Sequence, residues 1–119
     1  MAADQIAEIA PALREALAGG PETCVTFEVT GDSEKWVQFL DGTLNAAYPG
    51  ETPPDPEHLL PEAPDLAPRL LEWEPRKCAT FALDSADVRA LAGWIDLYFV
   101  CILGCVAGGY DVDVRIETL

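Results

Sequence analysis

Ser85-Ala-Asp-Val-Arg-Ala-Leu-Ala-Gly-Trp-Ile-Asp-Leu-Tyr-Phe-Val-Cys-Ile-Leu-Gly-Cys-Val106 decides the fold of this chain. Polar residues cluster in its first half, and none after Asp96 carries a formal charge. A helix apolar on one stripe lies on a surface, whereas one apolar all round is buried on more than one side. The pattern therefore predicts a helix over 85–106 that lies on a sheet and is covered on its back. Leu91, Trp94, Tyr98, Ile102 and Cys105 recur at three- and four-residue spacing on one flank. Burying each such side chain contributes roughly 1.5–3 kcal/mol, so something must cover them. Either the amino-terminal helix does so or a second copy of the chain does, which would make these five a dimer interface.

The flanks of this helix read as strands. Cys78 to Leu83 is an apolar strand, followed by Asp84 or Ser85 as a cap and Asp87 in the first turn. Gly108-Gly109 offers a stop with φ > 0. Tyr110 to Glu117 then alternates, with Tyr110, Val112, Val114 and Ile116 inward and Asp111, Asp113, Arg115 and Glu117 outward. One packed face and one wet face suit an antiparallel or mixed sheet.

Towards the amino terminus, Asp4 to Ala18 places Ile6, Ile9, Ala10, Leu13, Ala16 and Leu17 at amphipathic-helix spacing. Pro11 either kinks this helix or marks where it begins, and Gly19-Gly20-Pro21 ends it. Three strands follow: Cys24 to Val29, Lys35 to Leu40 and Thr43 to Tyr48. Gly31-Asp32-Ser33 turns the first pair, and Asp41-Gly42 suits a two-residue type I′ hairpin.

Between these halves, Pro49 to Pro68 holds seven of the ten prolines, mixed with Glu51, Asp55, Glu57, Glu62 and Asp65. Proline fixes φ and removes a donor, so this segment reads as an extended acidic loop. Pro68 fits the first position of a short helical turn, Arg69 to Trp73, ended before Pro75. The sum is one domain over 1–119, an α+β two-layer sandwich. It has an amino-terminal helix, one long buried helix (85–106) and about five mainly antiparallel strands.

Composition narrows the function. The chain has 119 residues, 50% of them hydrophobic, enough for one core. Its 21 acids against 7 bases leave a formal charge of −14. That field repels nucleic-acid phosphates and anionic lipid and draws in a basic protein. Met1 to Gly20 has neither a basic n-region nor an apolar h-region, and Leu97 to Ala107 is too short to span a bilayer. Cys24, Cys78, Cys101 and Cys105 sit within apolar segments, so they read as reduced core thiols of a cytoplasmic protein rather than ligands. His58, the single histidine, lies among acids in the proline loop and reads as a solvated side chain.

No Gly-x-Gly-x-x-Gly, P-loop, His-Glu-x-x-His or Gly-x-Ser-x-Gly occurs. Neither a catalytic group nor a cofactor is expected. The reading is a small acidic binding module, of inhibitor, immunity or antitoxin type, that engages a basic or amphipathic protein. Its expected contacts are Glu51, Asp55, Glu57, Glu62 and Asp65 of the loop, Trp73 beside it, and Asp111, Asp113 and Glu117 on the last strand. A second reading is a homodimeric secretion-type chaperone assembled through the long helix. A third is a ligand binder or enzyme with a pocket near Trp36, Tyr48 and Trp73.

Overall fold

The structure, a computed structural model, describes residues 2–20, 22–52, 69–83, 88–106 and 110–118. One antiparallel sheet carries six strands: β1 (Thr23–Val29), β2 (Trp36–Leu40), β3 (Thr43–Ala47), β4 (Arg69–Glu74), β5 (Cys78–Ala82) and β6 (Val112–Thr118). Their spatial order is β4-β5-β3-β2-β1-β6. Among the described residues, two α-helices, α1 (Ala2–Ala18) and α2 (Val88–Leu97), form the second layer. The α+β sandwich expected from the sequence is the one observed.

Local chemistry explains most of these elements. Asp41 and Gly42 have φ of 46° and 75°, so the β2–β3 hairpin has the left-handed pair that a type I′ turn requires. Register follows from alternation: Val25 pairs with Phe39 and Phe27 with Val37, while Phe39 pairs with Leu44 and Leu44 with Phe81. All of these side chains are buried on the helix side. α1 runs unbroken through Pro11, which is exposed, and buries Ile9, Leu13 and Ala16.

β4 is a sixth strand where a helical turn was expected over Arg69 to Trp73. The misleading signal was the pair of prolines, Pro68 and Pro75, that frame this stretch like a short helical turn. Leu70 pairs with Phe81 and Trp73 with Ala79, and a β-bulge between Leu70 and Glu72 supplies the extra residue. The bulge keeps both side chains on the helix side at a spacing that mimics one helical turn.

The long helix is shorter than expected, and it changes pitch. After α2 the chain takes a π-helical turn over Tyr98–Ile102. It closes with the Leu103 N–H donating to the Tyr98 carbonyl at 3.1 Å, then Cys105 N–H to Phe99 at 2.9 Å. Gly104, at φ 76°, ends it. The expected cap at Asp84 or Ser85 and the expected stop at Gly108-Gly109 lie outside the described residues. Val106, placed inside the buried helix by its sequence, is 73% exposed. A glycine with apolar neighbours still offers the left-handed conformation that terminates a helix.

The core is aromatic. Phe81 meets Trp94 at 5.1 Å and Tyr98 at 5.8 Å edge to face, and Trp94 stacks on Tyr98 at 5.5 Å. The wider π turn buries the consecutive residues Tyr98 and Phe99 against different neighbours, Phe81 and Tyr110. The Tyr98 hydroxyl donates to the Ala47 carbonyl at 2.7 Å, and the Tyr110 hydroxyl donates to buried Asp96 at 2.7 Å. These bonds satisfy polar atoms that would be costly to bury unpaired.

β6 departs from expectation in burial. Tyr110 is 6% exposed, but Val114 and Ile116 are 40% and 37% exposed. Their pairing with Phe27 and Val25 puts them on the helix side, as the alternation predicts. The strand is the sheet's outer edge, so the helix layer leaves its far half uncovered.

Candidate functional site: the open face of β6, β1 and β2

Both helices lie on one side of the sheet, as Phe81's contacts with Trp94 and Tyr98 and the shared core of Ile9, Leu13 and Leu91 show. The opposite side carries the other half of each strand's alternation. On β6 that half is Asp113, Arg115 and Glu117, which pair with Glu28, Thr26 and Cys24 of β1. Glu28 and Thr26 in turn pair with Trp36 and Gln38 of β2. Thr26, Glu28, Ser33, Trp36, Gln38, Arg115 and Glu117 line a shallow concavity of about 360 Å³ there.

This face is polar, ordered and negative. Gln38 Nε2 donates to Thr26 Oγ1 at 3.1 Å, and Thr30 Oγ1 donates to Asp113 Oδ1 at 3.1 Å. Arg115 lies 3.7 Å from Glu28, a half-exposed pair of the kind that contributes about 0–1 kcal/mol. Asp111, Asp113 and Glu117 are all exposed. Cys24, beneath Glu117, is buried; burial pushes its thiol up, a hydrogen bond with Thr26 opposes this, and Glu117 adds to the rise. That thiol is held protonated and is a poor nucleophile.

Of the other expected contact residues, Asp55, Glu57, Glu62 and Asp65 lie outside the described residues, as does His58, read as a solvated side chain. Glu51 is exposed and pairs with Arg76 at 3.6 Å. Trp73 is half-buried, with its ring edge to face with Tyr48 at 6.1 Å. Of the dimer-interface residues, Leu91, Trp94 and Tyr98 are each 0% exposed within the single chain. Here the amino-terminal helix is the cover, because Ile9, Leu13 and Ala16 share one core with them. Ile102 and Cys105 remain half-buried.

The thiols also differ from the core reading. Only Cys24 is buried; Cys78 and Cys105 are half-buried and Cys101 is exposed. Among the described residues, no three His, Cys, Asp or Glu side chains are grouped to hold a metal ion.

A second concavity, about 460 Å³, lies at the end of the sheet between Trp36, Tyr48, Pro49 and Leu103. Lys35, Arg76 and Lys77 also line it. Sequence reasoning named Trp36, Tyr48 and Trp73 for such a pocket; Trp73 does not line this one, and the bases, which come from two different turns, were missed. Arg76 stands at φ 59°, where glycine is usual. Nearby, burial pushes the Cys105 thiol up, Lys35 opposes this, and Asp32 and Asp96 add to it.

The chain matches no family model, and no curated protein or solved structure matches it significantly. Among the described residues no helix is long and apolar enough to cross a membrane.

Proposed function

We propose that this protein is a binding module without chemistry of its own, and that it engages a basic protein through the open face of β6, β1 and β2. The observation that carries the reading is the alignment of Asp113 and Glu117 with Glu28 and half-buried Trp36 on one side of the sheet. A partly buried tryptophan with an acidic rim matches the anatomy of a contact patch, where an aromatic anchor binds and rim charges steer encounter. The formal charge of −14 extends that steering beyond the patch.

The test is recovery of a partner from the native host, identified by mass spectrometry, with three variants compared. Asp113→Lys with Glu117→Lys should abolish recovery at low salt, and Trp36→Ala should weaken it. Reversal of Glu72 and Glu74 on the far edge should leave it intact. A partner that is acidic, or whose binding ignores both salt and the β6 reversals, would refute the reading.

The concavity at the end of the sheet supports a second reading, a binder of small anions. Three of the chain's seven bases line it, and one of them keeps a left-handed backbone. Thermal-shift titration with inorganic phosphate and with citrate tests this: a shift lost in Lys35→Ala supports it, and no shift with either anion dismisses it.

A further inference from the structure

We infer that the free edge of β6 accepts an extended segment of the partner as a seventh strand, an inference that rests on the basic-partner reading above. Among the described residues, β6 ends the sheet and pairs on one side alone, with β1. That pairing runs through seven consecutive positions, from Thr23–Thr118 to Val29–Val112, without a shift. A regular, bulge-free edge strand presents evenly spaced donors and acceptors to any incoming strand. The other edge is built differently: β4 carries a bulge between Leu70 and Glu72, which interrupts its ladder. β6 also lacks proline and has no charge on its helix-side face, two devices that commonly block strand addition.

The side chains specify the occupant. On the helix side, Val114 and Ile116 form a ledge that the helices leave 40% and 37% exposed. On the open side, Asp113 and Glu117 flank Arg115. An added strand places alternate residues on each face. Its apolar residues would lie beside Val114 and Ile116, and its basic residues would face Asp113 and Glu117. A residue facing Arg115 would be acidic or neutral, which sets the register. Cross-strand pairs of opposite charge stabilise such a ladder and like charges oppose it.

A second copy of the chain fits less well. In the antiparallel two-fold register centred on Val114, Asp113 would face Arg115 twice, but Asp111 would face Glu117 twice. Two chains of −14 would also have to approach each other. A basic strand meets neither obstacle, and the acidic face that admits it repels most others.

The experiment titrates the isotope-labelled full chain with a capped peptide alternating valine and lysine, with one central glutamate. A control peptide has the same side chains but is N-methylated on every backbone nitrogen, so neither of its edges can donate to a ladder. The expected result is at least tenfold tighter binding of the unmethylated peptide, with slowed amide exchange within 112–118. Val114→Lys should weaken it at least tenfold, and Leu71→Lys on the opposite edge, with the same change in charge, should not. Equal affinity of the two peptides without protection of β6 would overturn strand addition while leaving the basic-partner reading standing. Binding of neither peptide at low salt would count against both. Protection of β4, or concentration-dependent protection of β6 without peptide, would also overturn the inference, the latter by making a second copy the occupant.

Discussion

Replacing Tyr98 with phenylalanine isolates the bond that ties the π turn to the sheet. The ring's packing against Trp94 and Phe81 is retained, while the hydroxyl bond to the Ala47 carbonyl, 2.7 Å and buried, is lost. At pH 7 the variant should be about 1–2 kcal/mol less stable, the usual cost of losing a buried hydrogen bond. The gap should narrow as pH rises. Burial first, then Tyr48 and Cys78, hold the Tyr98 phenol well above its ordinary value of 10. Above that ordinary value the unfolded chain releases the proton and the folded chain keeps it, so the native protein loses stability with rising pH. At pH 10.5 the loss from this one group is about 0.8 kcal/mol, and the phenylalanine variant is spared it. Urea unfolding of both proteins at pH 7, 9 and 10.5 measures the difference directly. No gap at pH 7, or one that stays constant to pH 10.5, would refute the account of a protonated, bonded Tyr98.

Three further outcomes are expected. Phe81→Ala removes the ring that both Trp94 and Tyr98 pack against, and should cost about 3–5 kcal/mol in denaturant unfolding. Arg76→Gly relieves a left-handed non-glycine residue and should stabilise by about 0.5–1 kcal/mol, read as a raised midpoint; a lowered midpoint would mean that the guanidinium's contacts outweigh the strain. Thiol labelling of the native protein near pH 8 should modify exposed Cys101 first and buried Cys24 last, as peptide mapping at timed intervals would show.

Much of the fold is legible in local pattern. Asp41-Gly42 announces its hairpin because few residue pairs accept two left-handed positions in succession. The alternation of Val25, Phe27, Val37 and Phe39 places each on the buried side because a strand's side chains alternate with period two. β4 was hidden because Pro68 and Pro75 frame it like a short helical turn, and only pairing with β5 reveals the strand. Gly104 was passed over as a helix stop because its neighbours are apolar, yet the end of a helix depends on backbone conformation. The candidate site was half legible: Asp111, Asp113, Arg115 and Glu117 are placed outward by alternation, whereas Trp36 and Glu28 join them through pairing between β6, β1 and β2.

Outside β4, the sequence alone determined which of the described stretches are strand or helix and which side of each is apolar, because those properties follow from spacing along the chain. Strand order and the choice of cover for the long helix were decided by tertiary structure. Tyr110 to Glu117 would alternate in the same way at the centre of a sheet as at its rim. Its place beside β1, at the rim of the described strands, is set by which distant strands find one another, and that place leaves Val114 and Ile116 at the surface.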